Sequence, residues 1–144
     1  MTNKIFAGIT FVFSLIIYIS TMAPTTSFWD CGEFIACSHT LGVPHPPGTP
    51  LYLLIGNVFS NLLFFIGDVG ARVNLISPIV SALSVMFLYL IIVQLINKFF
   101  KYKNDRIISI SSYFSALIGS LLFAFTDSQW FNAVEAEVYG MSTF

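Results

Sequence analysis

The sequence predicts an all-α fold: a polytopic membrane helix bundle of about three transmembrane helices with one or two juxtamembrane helices. Three observations predict it. Of the 144 residues, 56% are hydrophobic and only 9% charged. An ordinary soluble domain carries about 25% charged residues, so this chain has too few to cover a water-facing surface. The apolar residues gather in long blocks, with a mean hydropathy of +0.84. The basic residues other than Arg72 fall where a single topology places them on one side of a bilayer. Phe alone contributes 16 residues, which suits a lipid-facing surface.

The first element is the apolar run 5–23, preceded by Lys4. Its roughly 19 residues span a hydrocarbon core of about 30 Å as a helix. A cleaved signal peptide is the rival reading. The run is longer than the usual apolar stretch of about 7–15 residues, and no A-x-A site follows. Pro24 directly follows Ala23. The run is therefore read as an anchor. Residues 24–72 form a loop whose first half, PTTSFWDCGEFIACSHTLGVPHPPGTP, is the longest polar-leaning stretch. Its second half contains the apolar block 51–66, about 16 residues or roughly 24 Å of helix. Asn57, Ser60 and Asn61 give that block a polar stripe.

Charge decides where the block lies. If it crossed the bilayer, Lys98, Lys101, Lys103 and Arg106 would face outside, against the positive-inside rule. If it is interfacial, Lys4 and the basic loop 97–106 are both cytoplasmic. The loop 24–72 and the segment 127–144 are then both external, and the remaining spans are 73–96 and 107–125. We adopt the second arrangement, with interfacial helices in the external loop.

Within that loop, Trp29-Asp30-Cys31-Gly32-Glu33 places two acids three residues apart, on one face of a helix. Two carboxylates beside a membrane surface can transfer protons or bind a cation. Ser27 and Asp30 also match an S-x-x-D capping box, which gives Asp30 a structural reading as a helix start. Asp30, Glu33, His39 and His45 are four candidate ligands whose spacing fits no standard metal motif, so no metal site is assigned. Cys31 and Cys37 would point to different helix faces and fit no zinc spacing. His45-Pro46-Pro47-Gly48 cannot be helical and breaks the chain before Leu51.

Arg72 is the one basic residue expected on the external side. It either snorkels to headgroups or holds a phosphate in its fork of donors. Gln129, Trp130, Asn132, Glu135 and Glu137 open the last segment. Glu135 and Glu137 are two apart, so one of them faces any shared cleft. The net charge of -1 offers no footprint for nucleic acid.

The string SFWDCGEFIACSHTLGVPHPPGTPLYLLIG, followed by RVNLISPIVSAL and WFNAVEAEVYGMSTF, resembles a large bacterial membrane family long known only as a domain of unknown function. Its animal relative is a transmembrane protein O-mannosyltransferase. The D-x-G-E, HPPG and A-E-V-Y elements carry the resemblance in order, over nearly the whole chain. It implies the N-terminal part of a GT-C glycosyltransferase. Such an enzyme moves a sugar, mannose or a related one, from a polyprenyl-phosphate carrier to hydroxyls of exported proteins on the external face. The bacterial inner membrane is the implied location, and the rest of the enzyme is expected beyond the third block.

Under the resemblance, Asp30 is the general base and Glu33 orients it or the acceptor, in a single inverting displacement. Arg72 neutralises the leaving phosphate, while His45, Glu137 and Trp29 bind donor or acceptor. The Phe-rich faces hold the donor's lipid tail. The partners are the bilayer, the lipid-linked sugar and an exported acceptor protein. No cofactor is assigned beyond the donor, with a divalent cation as a candidate. A transporter or flippase using Asp30 and Glu33 as a proton relay, or a non-catalytic scaffold, are the alternatives.

Overall fold

A computed structural model describes residues 2–46, 48–100 and 106–144, without the side chains of Phe100 and Arg106. Lys101 and Lys103 of the basic loop, and Pro47 of the HPPG turn, lie outside the described residues. The described residues form helices α1 (Thr2–Thr21), α2 (Cys31–Thr40), α3 (Pro50–Leu62), α4 (Val69–Asn74), α5 (Ile76–Phe100), α6 (Arg106–Ala124), α7 (Asp127–Ala133) and α8 (Val138–Thr143). Among these residues there is no strand. Among the described residues, three helices are long and apolar enough to cross a membrane: α1, α6, and α5 with α4 as its near-continuous lead-in.

The three long helices pack against one another. The hydroxyl of Tyr18 in α1 donates to the carbonyl of Ala124 in α6 at 2.8 Å. Tyr89 of α5 donates to Asn3 Oδ1 at 3.0 Å, so α1 and α5 run antiparallel. The bundle is lined by small residues. Thr10 and Ser14 of α1, Ala82 and Ser81 of α5, and Ala116 and Ser120 of α6 are all fully buried. Small side chains let helices approach closely where lipid supplies no hydrophobic drive between them. Thr10, Ser84, Ser112 and Ser120 turn their hydroxyls onto carbonyls of their own helices, at 2.7–3.1 Å. That satisfies these polar groups without water. Ile5, Ile9, Val12 and Ile16 point outward instead, at 50–61% exposure.

A second layer closes one end of the bundle. Helices α2, α3 and α4 pack together, and α7 and α8 lie against α5 and each other. The apolar block after Thr49 forms α3, whose thirteen residues reach only about 20 Å. Gly56 makes the α2–α3 crossing tight: a Cβ there would stand 2.7 Å from Ser38 Cβ. Asn57 closes the same crossing through Nδ2, which donates to the carbonyls of Ser38 and His39 at 2.9 and 3.2 Å. The layer is joined across the chain where Ala23 N–H donates to the Val134 carbonyl at 2.7 Å. The segment after α1 and the segment after α7 therefore meet at the same end. Asp68 starts α4, accepting from Ala71 N–H at 2.9 Å with Oδ1 and from the Thr25 hydroxyl at 3.2 Å with Oδ2.

Candidate active site

Asp30 occupies the N-cap position of α2, yet its side chain makes no cap hydrogen bond. The S-x-x-D capping box expected from Ser27 is therefore not formed. Instead Ser27 N–H approaches Cys31 Sγ at 3.5 Å, which leaves the Asp30 carboxylate free to face the loop opposite. Trp29, just before it, takes a left-handed backbone with φ 56, a conformation costly for a bulky residue. Its ring stands 83% exposed at the rim of a cleft.

The HPPG turn brings His45 back to α2. Gly48 adopts φ 75 and donates to the His45 carbonyl at 3.1 Å, a turn that only glycine accepts without steric cost. Glu33 then takes two hydrogen bonds from His45. Oε1 accepts from the backbone N–H at 2.8 Å and Oε2 pairs with Nδ1 at 2.6 Å. His45 Nε2 lies 3.9 Å from Asp30 Oδ2. The imidazole thus bridges two carboxylates. The hydrogen bond from His45 holds the Glu33 carboxyl below its usual range. In return Glu33, and more weakly Asp30, raise the His45 imidazole above its usual value.

Glu137 approaches from the other end of the chain. It stands at the N-cap of α8, only 6% exposed. Its N–H reaches Ser77 Oγ at 3.4 Å. Burial pushes its carboxyl up, reinforced by the neighbouring Glu135 and Asp30 carboxylates. Trp29, Asp30, Phe131, Asn132, Glu137 and Tyr139 line an open cleft of about 440 Å³. A narrower pocket of about 180 Å³ adjoins it, where Asp30, Glu137 and Tyr139 meet His45, Gly48 and Thr49. A cleft with aromatic walls and a few convergent polar groups is the usual form of a small-molecule site.

Of the residues singled out in the sequence, Asp30, Glu33, His45, Glu137 and Trp29 come together here. Glu135, two residues before Glu137, is 1% exposed and lines neither pocket. His39 goes to the α2–α3 interface, with Nδ1 2.6 Å from Ser60 Oγ. Arg72 is not brought to the cleft. Its guanidinium donates to the carbonyls of Ile66 at 2.7 Å, Ser60 at 2.9 Å, and Phe64 and Gly67 at 3.3 Å. It closes the far end of α3, where helical carbonyls lack partners. Tyr139 and Thr49 line the narrower pocket and were not singled out from the sequence. Tyr139 lies in the E-V-Y string, but only the fold brings it to the edge of the cleft.

Asp30, Glu33 and His45 each offer one ligand atom, all within 4.8 Å of one another. A divalent cation could be held there by two carboxylates and an imidazole. It would compete with the 2.6 Å His45–Glu33 hydrogen bond. Chemically, the cleft offers a carboxylate with no cap duty to accept a proton, an imidazole able to carry positive charge, and a buried acid.

The comparisons with known proteins agree on a family. Residues 30–144 match the model of the Protein O-mannosyl-transferase TMEM260 N-terminal domain. A protein of Dictyostelium discoideum named Protein O-mannosyl-transferase tmem260 is 27% identical over 133 residues, 92% of this chain and 14% of that protein. The Mus musculus Protein O-mannosyl-transferase TMEM260 is 28% identical over 138 residues, 96% of this chain and 17% of that protein. The chain thus spans only 14% and 17% of the length of these curated relatives. No solved structure matches it. With three apolar helices of membrane-spanning length and a family match that begins at Asp30, this chain belongs to the Protein O-mannosyl-transferase TMEM260 N-terminal domain family.

Proposed function

We propose that this chain is the N-terminal part of an inverting, GT-C-type membrane glycosyltransferase. In this reading it transfers mannose or a related sugar from a polyprenyl-phosphate carrier to Ser or Thr hydroxyls of exported proteins. The observation that carries it is the convergence of Asp30, His45 and Glu137, from opposite ends of the chain, on one cleft at the end of the bundle. The names of the relatives support a sugar transfer to protein.

In the proposed step, Asp30 accepts the acceptor hydroxyl's proton as that oxygen attacks the anomeric carbon. The bond from that carbon to the carrier phosphate breaks, inverting the configuration and releasing polyprenyl phosphate. Glu33 fixes His45, and His45 faces the leaving phosphate as a positive charge. It replaces Arg72 in that role, because the Arg72 donors go to the carbonyl of Ser60 in α3 and to those of Phe64, Ile66 and Gly67 in the turn that follows. Glu137 and Trp29 bind sugar or acceptor. The active face is external, at the bacterial inner membrane. The acids lie in the end layer rather than within the three-helix bundle, which favours surface chemistry over the proton path a transporter needs.

The test compares the full-length protein with Asp30→Asn in a strain lacking the native copy. Glycopeptides of exported proteins are read by mass spectrometry. Loss of a hexose mass in Asp30→Asn, at equal protein level, is the expected result. Identical glycopeptides in the two strains overturn the proposal. Chelation with EDTA in purified membranes, followed by divalent cations, tests whether the Asp30–Glu33–His45 cluster works with a metal.

A further inference from the structure

The two acids that face each other across the cleft belong to segments with no continuous helix between them. Asp30 ends the loop after α1. Glu137 ends the linker between α7 and α8. Besides the Ala23–Val134 backbone bond, one buried side chain bonds to both segments.

Asn74, the last residue of α4, has no exposed surface. Its Nδ2 donates to the carbonyl of Ala23 at 2.9 Å and to that of Thr25 at 2.8 Å. Its Oδ1 accepts from Ala136 N–H at 2.9 Å and from the Cys31 thiol at 3.7 Å. An amide has two donors and two acceptor sites, so Asn74 is saturated. All four bonds leave its own helix. Cys31 follows Asp30 in the chain, and Ala136 precedes Glu137. One side chain therefore ties the neighbours of both acids to the head of α5.

We propose that Asn74 is the positioning residue of the cleft, setting the Asp30 loop and the Glu137 segment in register. The chemistry of the amide fits this use. Aspartate has the same shape but cannot donate to the Ala23 and Thr25 carbonyls, and would bury a charge. Alanine removes the amide that pairs the Ala23 and Thr25 carbonyls, the Ala136 N–H and the Cys31 S–H. Cys31 reports on the clamp directly. Its thiol is fully buried, so it resists alkylation while the clamp holds.

The inference about catalysis rests on the glycosyltransferase reading, so the experiment has one arm that needs no activity. Full-length protein in membranes, with Cys37→Ser and any other native cysteines replaced, is treated with N-ethylmaleimide at fixed pH. Asn74→Ala is expected to raise the labelling rate of Cys31 by at least tenfold at unchanged protein level. An unchanged rate overturns the clamp, whatever the protein's activity.

The second arm measures sugar transfer. A misplacement of about 1 Å at a reacting centre can cost about 100-fold in rate. Asn74→Ala is therefore expected to lower kcat on that scale with KM for the acceptor little changed. Combined with Asp30→Asn, it should cost little beyond Asp30→Asn alone. Full additivity of the two substitutions overturns the positioning role. If the wild type shows no transfer, the functional reading fails while the labelling arm still decides the clamp. Should Asn74→Ala not accumulate, Asn74→Ser, which keeps one donor and one acceptor, is expected to give an intermediate labelling rate. Labelling at the wild-type rate in that variant refutes the inference.

Discussion

Arg72→Met removes every donor of the guanidinium while keeping a long apolar stem. Two of the lost bonds, to Ile66 at 2.7 Å and Ser60 at 2.9 Å, are part-buried. The two at 3.3 Å, to Phe64 and Gly67, share one nitrogen and face solvent, so water replaces them. Charge-assisted bonds contribute about 1.5–3 kcal/mol each. Taking the lower value for the two part-buried bonds gives about 3 kcal/mol, on the order of a hundredfold in a local opening equilibrium. Hydrogen exchange of the full-length protein in nanodiscs, read by mass spectrometry over residues 60–67, should accelerate by that factor. Arg72→Lys should rescue little, because an ammonium cannot reproduce the fork. The reasoning is refuted if exchange stays at the wild-type rate while KM for the lipid-linked sugar rises. That pair of results would return Arg72 to the donor phosphate, the role the family resemblance implied.

Three further outcomes are expected. Gly56→Ala puts a Cβ 2.7 Å from Ser38 Cβ, against ordinary carbon contacts of about 3.5–4 Å. Helices α2 and α3 must part, at a cost of about 1–3 kcal/mol; a thermal melt should show the loss, and adding Ser38→Gly should recover part of it. The Glu33–His45 contact should hold the loop 41–49 within a pH window. The His45 value is raised above 6.5, so its contribution is complete below 6.5 and fades as pH climbs through the raised value. The Glu33 value is lowered below 4.5, so its contribution is complete above 4.5 and fades as pH falls through the lowered value. Exchange protection of the loop, corrected for intrinsic rates, should therefore peak between 4.5 and 6.5, and a flat profile would contradict the pairing. Finally, a cysteine replacing Tyr102 should resist a membrane-impermeant maleimide added from outside; labelling there would reverse the proposed orientation.

What the sequence determined by itself is what depends on local composition. Long apolar runs with few charges must bury their backbone polar groups in helices, wherever the rest of the chain lies. The all-α membrane class was legible for that reason. The break at His45–Gly48 was legible because proline and glycine act on their own backbone. The two-residue spacing of Glu135 and Glu137 predicted different surroundings for them, and the structure places one in the cleft wall and the other in the core.

Only the tertiary structure decided the partners. Ser27 and Asp30 have capping-box spacing, but Ser27 N–H turns to Cys31 Sγ and the Asp30 carboxylate makes no cap bond, facing His45 instead. Arg72 could have met headgroups, phosphate or carbonyls with the same chemistry, and the unpaired end of α3 lay within its reach. Nothing in the spacing around Asn74 sets it apart from other polar residues. Its four partners come from segments up to 62 residues away. Hydrogen bonds of that range depend on where distant backbone is placed, and that is set by how the helices pack, not by the identity of the residue that makes them.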